Sequence, residues 1–441
     1  MHRTAGLRCR NLLSSSANQS NRESLAAGRA SRSAETRKRW LRAGLVLLAS
    51  FSAPRFAAGQ ESQKPVVTWG DPHHKSAVVR FESANNMILL PVSVNGSEPL
   101  WFNLDSGAGY CFVDLSRAKA LGLQFEGTVQ AQGAGTGTAD VQIIKGAVNF
   151  GFGEVKVSVA PAGAMDIASI EPVVGHMVDG TLGYDIFQEL VITVDYISHQ
   201  VTFTDPGEFH SSPRGQSLPL SLETGGNTPQ DRVPLVQGRI AIPGNPPVDA
   251  KFLVDSGSGD AVDHPLIKKS TGKLLNTVTG VGIGKEWRGV EGRIDYLQLG
   301  PFELRGAVSA CCGGSELSSQ LIGGQALSRF IVTFDYPRQR LILEPNRNYH
   351  RPFPADQSGM NLRWDPATQE PVVHGLTENS PATEAGLQTG DIIVAIGGVP
   401  SSQLGLDKVK RLFEANSRKY NLTVRRGAQT LAIRLRLGHL L

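Results

Sequence analysis

The amino-acid sequence predicts a mainly β protein with two related β lobes, followed by a smaller α+β domain at the carboxyl terminus. Its 441 residues include 49 glycines and only 7% aromatic residues, which favours strands and tight turns over long helices. One sequence unit occurs twice between residues 85 and 346, which predicts two lobes related by a pseudo-two-fold axis. From residue 358 onward, short strand patterns alternate with helical ones.

The composition excludes several classes of protein. Hydrophobic residues make up 40% and charged residues 19%, so the chain is neither wholly disordered nor collagen-like. No apolar run approaches the roughly 20 residues of a membrane-spanning helix, which excludes a multi-span membrane protein. Residues 1–58 hold 11 basic and two acidic residues, whereas 59–441 hold 33 basic and 38 acidic ones. The folded part is therefore mildly acidic, and no nucleic-acid partner is indicated.

Residues 1–59 are interpreted as a signal or targeting segment. A basic cluster, Arg37-Lys38-Arg39, precedes an apolar stretch that runs from Ala43 to Ala53, and small residues follow at 57–59. This order is typical of a secretory signal peptide, and it predicts an exported protein that is periplasmic or secreted. The alternative is an uncleaved, disordered basic tail.

The duplication rests on three motifs that recur in the same order. Leu104-Asp105-Ser106-Gly107 and Val254-Asp255-Ser256-Gly257 lie 150 residues apart. The segment 191–196 matches 331–336, and both end in Asp-Tyr. Twelve residues before each closing Asp lies an apolar-Gly pair, which ends at Gly183 or Gly323. We therefore predict lobe 1 at 60–208, a connector at 209–230, lobe 2 at 231–346 and a linker at 347–357, with helices around 115–121 and 318–328.

The paired Asp-Ser-Gly motifs are the candidate catalytic residues. Packing about a pseudo-two-fold axis would bring Asp105 and Asp255 face to face, and two carboxyl groups a few Å apart share one proton. Such a pair can activate a water molecule and protonate an amide. Ser106 and Ser256 can orient the carboxylates, and Gly107 and Gly257 allow the backbone to turn close to them.

At these residues the sequence resembles the aspartic protease superfamily, and more closely its bacterial retropepsin-type members than pepsin. The resemblance covers roughly 85–346 and implies an aspartic endopeptidase in which Asp105 and Asp255 are the catalytic pair. It also implies two flap hairpins at the Gly-rich segments 133–138 and 280–288. The candidate flap residues are Gly133, Gly135, Gly282 and Trp287.

Residues 358–441 form the separate C-terminal domain. Ser380 and Pro381 fit a helix start, with Glu384 three positions after the proline, and Gly386 fits the helix stop. A hairpin turn is predicted at Gly397-Gly398. The segment 406–413 has helical spacing of apolar residues, and we expect Lys408, Lys410 and Arg411 to point outward.

The C-terminal domain resembles the PDZ domains of bacterial exported proteases. In that family an extended peptide adds a strand to the sheet edge, and backbone N–H groups hold its terminal carboxylate. The resemblance places the peptide-binding loop at Gly359, Met360, Asn361 and Leu362. The alternative is a packing module that supports the lobes.

Two rival functions remain at this point. One is a catalytically degenerate scaffold that binds peptides, and the other is a glycoside hydrolase that uses two carboxylates. No cofactor and no metal site is predicted, because the His73-His74 pair lacks a second cluster with metal-ligand spacing. The four cysteines match neither a zinc site nor a disulfide framework, although a bond from Cys111 to Cys311 or Cys312 stays open. The expected partners are a peptide or unfolded protein substrate and a peptide carboxyl terminus.

Overall fold

The structure, a computed structural model, describes residues 50–52, 63–132, 138–224, 232–282, 285–311, 320–414 and 417–441. Strands make up most of its regular structure. Up to residue 204 they are β1 (Ser50–Ser52), β2 (Gln63–Trp69), β3 (Ser76–Arg80), β4 (Glu82–Ala84), β5 (Met87–Val94), β6 (Leu100–Leu104), β7 (Phe112–Asp114), β8 (Phe125–Gln132), β9 (Thr138–Ile144), β10 (Val148–Phe152), β11 (Val155–Ala160), β12 (Gly163–Met165), β13 (Gly180–Leu182), β14 (Val191–Asp195) and β15 (Gln200–Thr204).

The second half of the chain repeats this strand-rich arrangement. Its strands are β16 (Gln216–Thr224), β17 (Arg232–Ala241), β18 (Val248–Val254), β19 (Val262–Asp263), β20 (Leu274–Gly282), β21 (Lys285–Arg293), β22 (Tyr296–Leu299), β23 (Phe302–Arg305), β24 (Val308–Cys311), β25 (Leu321–Ile322), β26 (Phe330–Asp335) and β27 (Arg340–Pro345). The C-terminal domain adds β28 (Met360–Asp365), β29 (Glu370–Leu376), β30 (Ile392–Ile396), β31 (Val399–Pro400), β32 (Lys419–Arg426) and β33 (Gln429–Arg436).

The helices are short. They are α1 (Leu115–Ala120), α2 (Glu171–Val174), α3 (Tyr184–Phe187), α4 (Gly324–Leu327), α5 (Pro381–Glu384) and α6 (Ser401–Leu412), with 3-10 turns at Pro265–Lys269 and Tyr336–Arg338. The helix predicted around 115–121 is present as α1, which the side chain of Asp114 caps. The helix predicted around 318–328 is too long: only α4 is helical, because Leu321–Ile322 form the strand β25, and 318–319 lie outside the described residues.

One shared sheet joins the two lobes. One end of this sheet runs in the order β16-β27-β26-β14-β15-β3, so three strands from the second half of the chain are followed by three from the first. Where the two halves meet, β14 and β26 pair antiparallel, with Thr193 opposite Thr333, and the two hydroxyl groups lie 2.9 Å apart in a hydrogen bond. The pseudo-two-fold axis expected from the duplication therefore passes between these two threonines.

A continuous apolar core fills both lobes. It includes Phe102, Phe150 and Phe187 from the first half and Phe252 and Phe334 from the second, all fully buried. Successive side chains of a strand point to opposite faces of the sheet, so one face of each strand can line this core. In β11, for example, every second residue is buried. The C-terminal domain has a core of its own, which contains Leu406 and Val409.

The segments predicted to connect the domains are more ordered than their composition suggested. The predicted connector at 209–230 contains β16, which pairs with β17 and β27. The predicted linker at 347–357 is held by Arg329, whose guanidinium donates hydrogen bonds to the carbonyls of Asn348, Arg351 and Pro352. The same guanidinium lies 3.5 Å from the ring centre of Phe353. The linker is therefore fixed to lobe 2.

The C-terminal domain follows its predicted order with two corrections. Ser380 caps α5 in a capping box, but the partner is Thr383 and not Glu384, because Thr383 occupies the third helical position after the cap. Lys410 does not point outward to solvent as expected. Its ammonium group contacts lobe 1, because the face of α6 that turns away from its own core packs against another part of the chain.

The remaining turn predictions in this domain agree with the structure. Gly386 follows α5 with φ +81°, and Gly397 and Gly398 turn the chain with φ +59° and +84°.

The structure also shows whether two of the cysteines are bonded. Cys111 is a free buried thiol and Cys311 is disulfide-bonded, so the bridge from Cys111 considered above is absent.

Candidate active site

Asp105 and Asp255 occupy equivalent positions in the two lobes. Each follows directly after a buried strand, β6 or β18. The backbone N–H of Asp105 donates to the carbonyl of Leu182 at 3.0 Å, and that of Asp255 donates to the carbonyl of Ile322 at 2.9 Å. The short strands β13 and β25 thus run parallel to β6 and β18, and they fix the start of each Asp loop.

The two carboxyl groups face each other across the boundary between the lobes and hydrogen-bond to one another. The backbone N–H groups of Gly107 and Gly257 donate to the Oδ1 atoms of Asp105 and Asp255, each at 2.9 Å. Each glycine also lies against the carboxyl group of the opposite lobe. A Cβ atom at Gly257 would lie 2.3 Å from Cγ of Asp105, so glycine is required there for steric reasons.

The serines of the two motifs lock the loops together. The N–H of Ser106 donates to Oγ of Ser256 at 3.0 Å, and the N–H of Ser256 donates to Oγ of Ser106 at 2.9 Å. Each hydroxyl then donates to a carbonyl of the opposite strand, Val254 for Ser106 at 2.7 Å and Leu104 for Ser256 at 2.8 Å. Both serines are fully buried, so this network is shielded from water.

A tyrosine also belongs to this network. In the sequence it served only as evidence of the repeat. The hydroxyl of Tyr336 donates to the carbonyl of Ser106 at 3.0 Å, and its ring stacks on Phe187. Its counterpart Tyr196 has a buried hydroxyl without a hydrogen-bond partner among the described residues. Because both sequence repeats end in Asp-Tyr, the sequence could have indicated a contact by one of the two tyrosines. Only the fold shows that Tyr336, and not Tyr196, makes this hydrogen bond.

Burial raises the pKa of both aspartates. Burial is the main cause for Asp105, and hydrogen bonds from the backbone of Gly107 and from Asp255 partly offset it. Burial also raises the pKa of Asp255, and the negative charge of Asp105 raises it further, well above the ordinary value. The pair therefore keeps one proton to a higher pH than an isolated aspartate would, and it titrates as a unit.

The acidic residues after the second motif have their own perturbed pKa values. Asp260 is exposed, but desolvation by the atoms around its carboxyl group and then the charge of Asp255 raise its pKa to about 6. Burial and the charge of Asp260 raise the pKa of Asp263 well above its ordinary value. The raised pKa of Asp255 itself is caused mainly by burial and by Asp105, and not by these neighbouring carboxyl groups.

Two hairpins stand where the flaps were predicted. Flap 1, the hairpin β8–β9, and flap 2, the hairpin β20–β21, are both antiparallel pairs. Gly133 and Gly135 lie outside the described residues. Gly282 ends β20, and Trp287 packs within flap 2, since a Cβ at Gly280 would lie 2.2 Å from its ring.

The loop predicted to bind a peptide opens the C-terminal domain. Gly359 has φ +79° and lies against Ser380, where a Cβ would come within 2.3 Å of the serine Cβ. The side chains of Met360 and Leu362 are buried in the domain core, and a bulge falls between Asn361 and Leu362. The N–H groups of Gly359 and Met360 already donate to Oδ2 of Asp356 at 2.6 Å and to Oγ of Ser358 at 3.1 Å, so a ligand carboxylate at this loop has to replace these contacts. The side chain of Asn361 is half-buried.

Two further features of the described chain were compared with the aspartate pair, namely candidate metal sites and a surface cavity. Among the described residues, no group of three or more His, Cys, Asp or Glu side chains could hold a metal ion. A cavity of about 490 Å³ against the shared sheet is lined by His73, His74, Thr193 and Thr333, and neither aspartate of the pair lines it. No helix in the described ranges is sufficiently long and apolar to cross a membrane.

Comparison with known proteins agrees with this geometry. The family model described as aspartyl protease matches residues 90–186, which include Asp105, and the model described as PDZ domain matches residues 372–426. No curated protein matched the chain. Among solved structures, the PDZ domain of HtrA3 bound to a phage-derived ligand (FGRWV) is 26% identical, with 19% of this chain and 84% of that one covered and a TM-score of 0.17. The chain thus combines an aspartyl protease domain with a C-terminal PDZ domain.

Proposed function

We propose that this protein is an aspartic endopeptidase in which a water molecule held between Asp105 and Asp255 attacks the peptide bond. The observation that supports this most directly is the pair of hydrogen-bonded carboxyl groups, which face each other on symmetric, buried loops. Two carboxyl groups with unequal pKa values can act as one base and one acid at the same pH.

The proposed reaction needs no covalent intermediate. Asp105, ionised, takes a proton from the water as its oxygen bonds to the carbonyl carbon, while Asp255 donates its proton to the carbonyl oxygen. The resulting tetrahedral diol then collapses. Its hydroxyl returns a proton to the ionised Asp255, the amide nitrogen receives a proton from Asp105, and the carbon–nitrogen bond breaks. Both products leave, and the pair again carries one proton.

The arrangement favours amide hydrolysis over the glycosidase alternative. Glycoside hydrolases hold their two carboxyl groups roughly 5–9.5 Å apart, so that a sugar ring and, in inverting enzymes, a water molecule fit between them. Carboxyl groups that hydrogen-bond to each other leave room for a water molecule but not for a glycosidic bond. We further propose that the PDZ domain binds a peptide or protein partner, and that the protein is exported.

Purified full-length chain incubated with an unfolded protein across a range of pH values tests the proposal. Asp105→Asn should reduce cleavage by roughly 10²–10⁴-fold, the contribution typical of a general acid or base. Asp71→Asn, an exposed aspartate, serves as the matched control and should cleave like the wild type. A pepstatin-type inhibitor should block the wild type. Full activity of Asp105→Asn would exclude the mechanism, and peptide binding without turnover by the wild type would favour the scaffold.

A further inference from the structure

The PDZ sheet has an edge strand that a peptide could extend. The strand order is β28-β29-β30-β32-β33, so β28 lies at the edge, and α6 packs beside it. A peptide that binds by strand addition pairs with such an edge. The edge of β28 and the side of α6 therefore outline the expected peptide groove.

A part of lobe 1 fills this groove. Residues 171–175, here called the plug segment, comprise α2 and Gly175, and α2 packs against β28. Gly175, with φ +73°, lies so close to α6 that a Cβ there would be 2.4 Å from Cβ of Leu406. The ammonium group of Lys410 donates to the carbonyl of Val173 at 3.1 Å. The plug segment thus contacts both elements that a bound peptide would need.

The plug segment also supports flap 1. Val174 is 2% exposed and belongs to an apolar cluster with Val129, Ala131 and Val141, which lie on the two strands of that flap. A movement of the plug segment away from the groove would therefore remove packing from beneath flap 1.

Flap 2 is held by the same edge of the PDZ domain. Glu286 on β21 forms an ion pair with Arg363 on β28 at 2.9 Å, and its carboxylate lies 2.8 Å from Nε2 of His374 on β29. Both flaps are thus tied to one strand edge. A flap that is tied in this way opens less readily to admit a chain into the cleft.

A third contact leads to the loop of Asp255. The N–H of Asn85 donates to Oδ1 of Asp407 at 3.2 Å, and its side-chain oxygen accepts a hydrogen bond from Lys410, also at 3.2 Å. The next residue, Asn86, donates from its side chain to the carbonyl of Gly259 at 2.9 Å. Helix α6 is therefore linked to the second Asp loop through a single turn of lobe 1.

We infer that the plug segment closes the PDZ groove in cis, and that a peptide with a free carboxyl terminus displaces it, releases flap 1 and raises turnover. The plug segment and the peptide compete for the same surface of the PDZ domain. Their coupling is therefore the difference between the binding free energies of the peptide for the open and the closed groove, and it needs no chain of contacts between distant sites. Since Arg329 keeps the linker fixed to lobe 2, the plug segment moves while the domain stays in place. Only the turnover part of this inference rests on the proposed function.

Two substitutions open the groove, and each has a matched control. Gly175→Ala inserts a methyl group between the plug segment and Leu406. Gly122→Ala imposes the same backbone strain, with φ +72°, in a place where nothing lies within 4 Å. Lys410→Met removes the hydrogen bonds to lobe 1, whereas Lys408→Met changes an exposed lysine of the same helix.

Binding is measured by fluorescence polarisation in an Asp105→Asn background, so that the probe is not cleaved. The probe is a labelled mixture of randomised peptides that end in valine with a free carboxylate, and its amidated form reports carboxylate capture. We expect Gly175→Ala and Lys410→Met to bind the free-carboxylate probe about tenfold more tightly than the wild type and both controls, within the usual range of coupling between two sites.

Turnover is measured with the same substitutions in the active chain. Both opening variants should have a higher kcat/KM than their controls, and unlabelled probe should stimulate the wild type but not the variants. Equal probe affinity in all chains would overturn the inference, as would tighter binding with unchanged turnover. If no chain cleaves at all, the proposed function fails, and the binding result still decides whether the groove is closed. Circular dichroism confirms that each variant is folded.

Discussion

Ser106 and Ser256 exchange hydrogen bonds across the lobe boundary, each backbone N–H reaching the hydroxyl of the other serine at 3.0 or 2.9 Å. The two Asp loops are therefore one rigid unit although they lie 150 residues apart in the sequence. Because the serines immediately follow the aspartates, this exchange also fixes the distance between the carboxyl groups. The stability of the protein and the geometry of its candidate active site depend on the same four side chains.

Replacement of Ser106 tests this dependence. Ser106→Ala removes the donor to Val254 and leaves the N–H of Ser256 unsatisfied in a buried site. An unsatisfied buried group costs about 1–3 kcal/mol, so the free energy of unfolding should fall by roughly 2–5 kcal/mol. Urea denaturation followed by circular dichroism measures it. Ser106→Thr keeps the hydroxyl and should lose much less, and equal losses in the two variants would contradict the role of the hydroxyl.

Replacement of Gly257 should separate catalysis from folding. In Gly257→Ala the new methyl group would lie 2.3 Å from Cγ of Asp105, so the carboxyl pair has to move apart. A displacement of about 1 Å in a catalytic group can lower the rate by about 100-fold, and we expect a loss of kcat of that size. Gly272→Ala, on an exposed turn with 3.2 Å to its nearest neighbour, is the control and should retain full activity.

The pH dependence of kcat/KM should be bell-shaped. The proposed mechanism requires one ionised and one protonated carboxyl group, so activity should be lost on the acid side when the pair gains a second proton and on the alkaline side when it loses its only one. Both pKa values are raised above the ordinary 3.8, which places both limbs above that value. Initial rates with a quenched peptide substrate measure the profile, whose limbs belong to the pair as a whole. A rate that rises steadily with pH would contradict the assignment.

Glu291 should make the protein less stable as the pH rises. Burial, followed by the charges of Asp260 and Asp356, raises its pKa from 4.5 to about 8. The unfolded chain therefore loses this proton near pH 4.5 while the folded chain keeps it, so the free energy of unfolding falls between pH 4.5 and about 8. Glu291→Gln should be more stable than the wild type at pH 8 by about 1–3 kcal/mol and equal to it at pH 4.

Thermal unfolding at both pH values measures this difference. Glu98→Gln, which changes an exposed glutamate, is the control and should follow the wild type at each pH. A constant difference between Glu291→Gln and the wild type at pH 4 and pH 8 would show that the effect is one of packing and not of ionisation.

The duplicated sequence was sufficient to predict the lobes and the facing aspartates. Identical spacing in both copies implies equivalent positions in both lobes, and a pseudo-two-fold axis then brings the equivalent residues together. The strand β16 was missed, because residues 209–230 are polar and rich in turn-forming residues. That strand exists through its pairing with β17 and β27, and such tertiary pairing cannot be read from a local pattern.

The contacts of the PDZ domain with the lobes could not be predicted from the sequence. Helical periodicity shows which face of α6 turns to its own core, and it assigns Lys410 to the opposite face. It does not show whether another part of the chain covers that face. Lys410 is desolvated there, and burial lowers its pKa to about 8. A lysine or an arginine at such a place has the same sequence signature as one in solvent.

The pairing of Thr193 with Thr333 on the axis has an evolutionary consequence. Two identical chains could form the same contact, and each would then supply one aspartate to a symmetric dimer. Fusion of the two copies allows them to diverge, and the loops after the motifs already differ, with Tyr110 in one and Asp260 in the other. A symmetric dimer of this kind would have two equivalent surfaces, and each could contact one accessory domain. The single chain carries one PDZ domain for one cleft, so the regulation inferred above needs only one bound peptide for each cleft.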